Sequence, residues 1–264
     1  MPETHPDPSP EPGRRNWVDD LTIAVAFLTR VPLPHRIDAG GGRLARAAWA
    51  IPTVGCAVGL VAGLVYSAAI ALGLPPTLGA TAAVAMQVWL TGALHEDALG
   101  DVADGFGGGA TREETLRIMR DSRLGSFAAV TLVIAVVARI AAIAALDATD
   151  MVLFALIAAG AASRAGMVAA MDFLEPARGD GLGFETGRPT RRDTWIAIAI
   201  AAAAGLAMLG IAPGSALLAG AAVGTASVMW LARRRIGGHT GDVLGACQQV
   251  AEILCLCALV AALA

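Results

Sequence analysis

Three aspartates, Asp97, Asp101 and Asp104, stand four and three residues apart in the segment HEDALGDVADGFGGG. If this segment is helical to about residue 104, all three carboxylates lie on one side of the helix. Like charges in this arrangement repel one another, so the arrangement is favourable when a cation lies between them. All-oxygen ligands select a hard ion such as Mg²⁺, which takes one or a few carboxylates together with water and substrate phosphates. The spacing therefore predicts a magnesium site at these aspartates.

Basic side chains follow the aspartates in the same polar stretch. The segment RIMRDSRLG carries Arg120, Asp121 and Arg123, and the preceding run GFGGG is expected to be mobile backbone with free N–H groups. Arginine binds phosphate oxygens in bidentate fashion, and carboxylates for metal beside arginines for phosphate are the parts of a phosphoryl-transfer site. The alternative is a solvated helix end with a flexible loop. A capping box at residues 111–114, TREE, predicts a short helix between the two groups.

Further candidate residues lie in other segments. The loop EPARGDGLGFETGRPTRR contains Arg178, and IGGHTGDVLGA places Asp242 at the start of the last apolar run, where a helix cap is the alternative role. Arg139, Arg164 and Glu252 lie inside apolar runs, where a charged side chain should face the protein interior and be paired. These three form either a structural Arg–Glu pair or a contact with a polar substrate.

The apolar runs predict an all-α, polytopic membrane helix bundle. The chain is 56% apolar and 16% charged, with a mean hydropathy of +0.65, whereas about a quarter of the residues of soluble domains are charged. A span needs roughly 20 helical residues, and seven runs are long enough: 47–73, 77–95, 124–146, 150–171, 194–211, 214–232 and 243–264. The shorter run DDLTIAVAFLTRVPLP predicts an N-terminal interfacial helix. Residues 1–16 are expected to form a disordered cytoplasmic tail, and residues 17–264 a single transmembrane catalytic domain.

Composition also excludes several classes of function. The net charge of −3 and the lack of a basic stripe among aromatic residues exclude a nucleic-acid partner. No lysine occurs, which excludes a Walker lysine, a Schiff-base lysine and a serine–lysine dyad. The four cysteines, three of them in the last apolar run, are expected to be small hydrophobic residues.

The distribution of arginine predicts the orientation of the bundle. All but two of the nineteen basic residues, Arg139 and Arg164 being the exceptions, lie on one side if the N-terminus is cytoplasmic. Basic residues prefer cytoplasmic loops, so every long loop is predicted to be cytoplasmic and every outer loop to be a tight turn. This asymmetry favours a membrane enzyme whose active site faces the cytoplasm over a transporter, which more often has internal repeats and broken helices.

Four segments together resemble one family. HEDALGDVADGFGG, RIMRDSRLGSFA, ARGDGLG and GGHTGDVLGA occur in the order and approximate spacing found in cobalamin synthases, the adenosylcobinamide-GDP ribazoletransferases. The opening FLTRVPLP is similar to that family's start, and the resemblance covers most of the chain after residue 20. The family pattern at the first motif is His-x-Asp-Gly-Leu-Ala-Asp. Here Ala98 and Gly100 exchange the small residues, while both carboxylates keep their places.

The resemblance implies a multi-pass enzyme of the bacterial inner membrane that needs Mg²⁺. It would join adenosylcobinamide-GDP to α-ribazole, or to its 5′-phosphate, and release GMP. The three aspartates would then bind one or two Mg²⁺ ions at the diphosphate. Either His95 or Asp121 would accept the proton of the attacking hydroxyl, and the sequence does not separate these two candidates. The candidate substrate-binding residues are Arg120, Arg123, Arg164, Arg178, Asp242 and Glu252.

The expected partners are the two substrates and the lipid bilayer. Other enzymes of the cobalamin pathway and a second copy of the chain are further partners that stay open. Two other functions also stay open. The first is a transferase of the CDP-alcohol phosphotransferase type or of the prenyl type. Asp101-Val-Ala-Asp104-Gly105 has the local form of the CDP-alcohol phosphotransferase motif, although the Ala-Arg that follows this motif in that class and its later pair of aspartates are missing here. A metal-ion transporter that uses the carboxylates as a vestibule is the third hypothesis.

Overall fold

The computed structural model describes residues 16–33 and 42–264. The predicted tail, apart from Asn16, and the end of the FLTRVPLP segment lie outside these residues. Within the described residues the chain is helical and contains no β-strand, which confirms the all-α expectation. The helices are α1 Trp17–Leu28, α2 Arg43–Arg46, α3 Ile51–Ala71, α4 Pro76–Thr91, α5 Leu94–Gly108, α6 Arg112–Ile118, α7 Ser126–Leu146, α8 Thr149–Phe173, α9 Leu182–Glu185, α10 Arg191–Leu209, α11 Ile211–Ile236 and α12 Gly241–Leu263.

Six described helices are long and apolar enough to cross a membrane, and the bent pair α4 and α5 makes up to seven spans. The six are α3 (with the 3₁₀ turn before it), α7, α8, α10, α11 and α12. The prediction of about seven spans is therefore confirmed. The short run near the N-terminus forms α1, and its Asp20 accepts a hydrogen bond of 2.9 Å from the Trp49 indole beside α3.

Helices α3 and α8 pack closely because small residues recur every fourth position of α3. Side chains at Gly55 and Gly59 would collide with the backbone carbonyls of Gly160 and Leu156 on α8, and one at Gly63 would collide with Leu153. In the hydrocarbon core of a membrane the hydrophobic effect does not drive helices together. Helix pairs are stabilised there mainly by van der Waals packing, which small residues allow by letting the two backbones approach closely. This helix pair forms one side of the bundle that carries the site.

We expect Gly59→Leu to destabilise the protein by about 3 kcal/mol or more, because the new side chain has backbone rather than a movable side chain in its way. The matched control is Ala57→Leu on the exposed face of the same helix, which should change stability little. Thermal denaturation of the detergent-purified protein measures both. Equal stability of the two variants would contradict this packing.

Helix α5 turns away from α4 by 90°. The turn uses two residues with positive φ, Gly92 at 69° and Ala93 at 60°. A side chain on Gly92 would also overlap the guanidinium group of Arg30. The backbone N–H of Arg30 donates to Leu90 O at 2.8 Å, which holds this arginine beside the turn. Since α5 carries four acids in 15 residues, we place the acid-bearing part of α5 outside the hydrocarbon core. The bend sets these acids across one end of the bundle.

The glycine-rich run after the aspartates is helical, which corrects the expectation of a mobile loop. Helix α5 continues to Gly108, and Gly109 N donates to Gly105 O at 3.0 Å. The glycines are needed for packing, because side chains at Gly105, Gly107 and Gly109 would collide with Met119, Phe127 and Thr115 respectively. The N–H groups of this run are thus mostly used in the helix, and the run is not an anion-binding loop.

The loops at this end of the bundle are joined by backbone and arginine contacts. Two backbone hydrogen bonds join the α8–α9 loop to the α11–α12 turn. Ala177 N donates to His239 O, and His239 N donates to Glu175 O, both at 2.8 Å. Arg112 donates to Ile236 O at 2.9 Å and to Ala177 O, and Arg235 donates to Gly109 O at 2.7 Å. Thr111 is the N-cap residue of α6, and its Oγ1 accepts from Glu114 N at 3.2 Å, so the predicted short capped helix is confirmed.

Candidate active site

An open cleft of about 380 Å³ lies between α5 and the loop that precedes α7. Asp97, Asp101 and Asp104 line it from one side, and Arg120, Asp121 and Arg123 line it from the other. The structure therefore brings together both of the polar groups that the sequence separates by some twenty residues. The predicted common face of the aspartates is present because α5 is helical throughout this motif.

The three aspartates do not have equal surroundings. Asp104 caps α7, since its two carboxylate oxygens accept hydrogen bonds from Gly125 N at 2.6 Å and Ala128 N at 2.9 Å. By contrast, the carboxylates of Asp97 and Asp101 accept no hydrogen bond from, and form no ion pair with, any residue that the structure describes. The carboxylates free to bind a ligand are those of Asp97 and Asp101.

The surroundings of Asp101 favour a cation. Burial, followed by the negative charges of Asp242, Asp97 and Asp104, raises the pKa of Asp101 to about 7. No three His, Cys, Asp or Glu residues in residues 16–33 and 42–264 are grouped closely enough to form a metal site by themselves. Two unpartnered carboxylates nevertheless fit Mg²⁺, which commonly takes one or two protein carboxylates and completes its coordination with water and substrate phosphates. The role of the aspartates as metal ligands stays a prediction.

Arg120 of the cleft is linked to Arg178 through Asp180, a residue that the sequence motifs do not single out. Arg120 donates to the Asp180 carboxylate, and Arg178 Nε lies 3.7 Å from the same group. Arg178 Nη2 is also 3.9 Å from Asp242. The sequence contains the motif ARGDGLG, but it gives no signal that Asp180 meets a residue 60 positions earlier.

Asp121 is engaged by its neighbour Arg123. The Arg123 Nη2 donates to Asp121 Oδ2 at 2.6 Å, and the Arg123 backbone N–H donates to Oδ1 at 3.1 Å. These hydrogen bonds lower the pKa of Asp121 to about 2. A carboxyl group of such low pKa is a weak proton acceptor at neutral pH.

A second, more enclosed cavity of about 230 Å³ adjoins the cleft. Its polar end is formed by His95, Asp97, Arg178 and Asp242, and Asp97 is thus common to both cavities. His95 is buried, and its Nε2 has no hydrogen-bond partner among the described residues. Of the two candidate bases, His95 is therefore the one with a free ring nitrogen.

The start of α12 presents Asp242 to this cavity. Thr240 is the N-cap residue, and its Oγ1 accepts from Val243 N at 3.3 Å, so the cap role considered for Asp242 belongs to Thr240. Helix α5 comes close to α12 at this level, because a side chain at Gly245 would collide with Ala98. Ala98, which stands where the family pattern has glycine, is still small enough for this close approach of α12.

Arg139, Arg164 and Glu252 are buried and line neither of the two cavities. The Arg139 guanidinium donates to Gln87 on α4 and to Glu96 on α5, both at 2.8 Å, and lies 3.3 Å from Glu252 on α12. It therefore joins both sides of the α4–α5 bend. Arg164 donates only to Gly160 O, at 3.3 Å, among the hydrogen bonds of the described residues. Substrate contact by Arg164 and Glu252 stays a prediction.

We expect Arg139→Met to destabilise the protein by about 3–5 kcal/mol, because it leaves the buried Glu252 and the partly buried Glu96 without their cation. Arg139→Lys should lose less stability, because lysine keeps the positive charge but lacks the planar set of N–H donors of the guanidinium. Thermal denaturation measures the loss, with Arg234→Met at the exposed end of α11 as control. Arg139→Met with wild-type stability would contradict the role of this guanidinium.

Comparison with known proteins agrees with this arrangement. The family model described as cobalamin-5-phosphate synthase matches residues 20–260. A protein of Bradyrhizobium diazoefficiens is 45% identical over 244 residues, which cover 92% of this chain and 93% of that protein. Proteins of Mesorhizobium japonicum and Brucella ovis are 43% and 40% identical and cover 92% and 95% of the chain, and 93% and 99% of their own lengths. All three are named adenosylcobinamide-GDP ribazoletransferase.

No solved structure matches the chain. The family model covers nearly all of the described helices, and the relatives match this chain over almost their whole lengths. The aspartates of α5, the arginines of the cleft and the cavity beside His95 all fall within the matched residues. The chain belongs to the cobalamin-5-phosphate synthase family.

Proposed function

We propose that the chain transfers the adenosylcobinamide-phosphate group of adenosylcobinamide-GDP to α-ribazole or its 5′-phosphate and releases GMP. The names of the relatives support this reaction. The observation that carries it is the pair of cavities that meet at the unpartnered carboxylate of Asp97. One cavity has carboxylates facing arginines, and the other is mostly apolar and contains a buried histidine.

The donor's diphosphate is assigned to the open cleft. The lining of the cleft suits phosphate groups, because it carries Arg120 and Arg123 opposite the aspartates of α5. These guanidiniums would donate to phosphate oxygens through the N–H groups that Asp180 and Asp121 leave free. Asp97 and Asp101 would hold Mg²⁺ together with the diphosphate, and when bound the ion supplies neutralisation of the charge on the reacting phosphate groups.

The reaction is a substitution at phosphorus. The ribose 3′-hydroxyl oxygen of the acceptor forms a bond to the phosphorus nearer to cobinamide, and the bond from that phosphorus to the bridging oxygen breaks. The bridging oxygen leaves with GMP, and the hydroxyl proton passes to the His95 imidazole. Arg120 and Arg123 stabilise the negative charge of the leaving phosphate. We favour His95 over Asp121 as the proton acceptor, because Asp121 is held ionised by Arg123.

The bundle is proposed to lie in the bacterial inner membrane with this end toward the cytoplasm. The arginine distribution supports the orientation, because the loops at the same end of the bundle as the cleft together carry most of the basic residues. Both substrates would then reach the site from the cytoplasm, with no need to cross the bilayer.

The direct test is an assay of GMP release by the purified protein with adenosylcobinamide-GDP, α-ribazole and Mg²⁺. We expect GMP and the cobalamin product in equal amounts, and no GMP when α-ribazole or Mg²⁺ is omitted. GMP release without α-ribazole would indicate a hydrolase instead. Incorporation of donor label into a lipid fraction would favour a transferase of the CDP-alcohol phosphotransferase type.

A further inference from the structure

The smaller, more enclosed cavity beside His95 is lined mostly by apolar side chains, together with a few charged and polar ones. Side chains from separate parts of the chain, Phe27 of α1, Leu44 of α2, Met171 of α8 and Leu244 of α12, form apolar walls. The charged lining residues are Asp97, which the cavity shares with the cleft, and the Arg178–Asp242 pair, and the other polar side chains are His95 and Thr186. A ligand that fills this space is therefore apolar over most of its surface and polar where it approaches the cleft.

We propose that this cavity is the nucleoside site for the acceptor, with the benzimidazole ring of α-ribazole among the apolar walls and its ribose at the polar end. The proposal rests on the proposed function and names the subsite that the function requires. Asp97 borders both cavities, so a ribose seated at the polar end presents its hydroxyl toward the diphosphate in the cleft. His95 lines the same end.

The donor's guanine is the main competitor for this space, and its chemistry disfavours it. Guanine carries several donors and acceptors along its edges, and each would need a partner once it is buried. The dimethylbenzimidazole ring presents carbon and methyl groups along its outer edge and one ring nitrogen as acceptor. Buried polar groups reject a ligand that cannot pair with them, whereas apolar walls accept a flat ring edged by methyl groups. The walls thus select the class of base as well as the size of the ligand.

Met171 and Leu44 are fully buried walls of the cavity and are assigned as residues that determine specificity for the base. Met171→Phe replaces a flexible side chain with a larger rigid ring and should narrow the space available to the base. We expect the KM for α-ribazole to rise at least tenfold, while the KM for adenosylcobinamide-GDP stays within twofold. The matched control is Met229→Phe on α11, which lines an apolar groove elsewhere in the bundle and should leave both KM values unchanged.

A second measurement does not depend on the folding of a variant. Free 5,6-dimethylbenzimidazole should inhibit the wild-type enzyme competitively against α-ribazole and not against the donor, and guanosine should not compete with α-ribazole. The proposal is overturned if Met171→Phe raises the KM of the donor alone, or if dimethylbenzimidazole competes with the donor.

The proposed function can fail separately from this site. Equilibrium binding of radiolabelled α-ribazole to the purified protein, without donor, reports on the cavity alone. Binding that Met171→Phe weakens and Met229→Phe does not supports the site even if no GMP is released. GMP release by a protein whose α-ribazole binding is unaffected by Met171→Phe overturns the site and keeps the function.

Discussion

Asp101→Asn and Asp97→Asn are each expected to slow GMP release about a thousandfold, and both should need more Mg²⁺ for half-maximal rate. Each substitution removes a carboxylate that has no partner in the described residues and so is free to bind the ion. Charge neutralisation by a metal is worth several kcal/mol, and each 1.4 kcal/mol corresponds to a tenfold change in rate. The measurement is the initial rate of GMP release as a function of Mg²⁺ concentration.

Asp104→Asn is the matched control for these two variants. Asparagine keeps one carbonyl oxygen that can accept from Gly125 N or Ala128 N, so the expected effect is a loss of stability through a weaker cap of α7. Its Mg²⁺ dependence should remain that of the wild type. Wild-type rates in Asp97→Asn and Asp101→Asn, or a shifted Mg²⁺ dependence in Asp104→Asn alone, would contradict the distinct roles assigned to the three aspartates.

His95→Ala is expected to lower kcat by about 10²–10⁴-fold, the usual contribution of a positioned general base. The substitution also leaves a space beside the enclosed cavity, so added imidazole should restore part of the activity. Asp121→Asn should lower kcat less than about tenfold, because its carboxylate, with a pKa of about 2, holds Arg123 and accepts no proton at neutral pH.

The comparison of kcat values with and without imidazole distinguishes the two candidate bases. A large loss in Asp121→Asn together with near-normal activity in His95→Ala would reverse the assignment. Recovery by imidazole in His95→Ala, and in no other variant, would support it, since a structural role of the histidine gives no reason for rescue by the free base.

Much of the site was predictable from local pattern. The spacing of the aspartates predicted their common face, and the apolar runs predicted the spanning helices to within a few residues. The sequence could not show that Asp104 is used as a cap, because the partners Gly125 and Ala128 follow some twenty residues later and depend on how α7 meets α5.

The glycine run illustrates the same limit more strongly. Glycine is a poor helix former, so GFGGG alone predicts a loop. In the folded chain Gly105 and Gly107 pack against Met119 and Phe127, and this tertiary contact outweighs the weak local preference. The contact of Asp180 with Arg120 and the proximity of Asp242 to Asp101 likewise arise from packing between distant segments, for which one sequence carries no local signal.

The most direct test of the account is the binding of Mn²⁺, as a paramagnetic substitute for Mg²⁺, to the purified protein in the presence of GDP as a soluble diphosphate. Electron paramagnetic resonance measures the free ion. We predict GDP-dependent Mn²⁺ binding that is lost in Asp97→Asn and Asp101→Asn and kept in Asp104→Asn. Undiminished Mn²⁺ binding in both Asp97→Asn and Asp101→Asn would contradict the placement of the metal and the diphosphate at these two carboxylates.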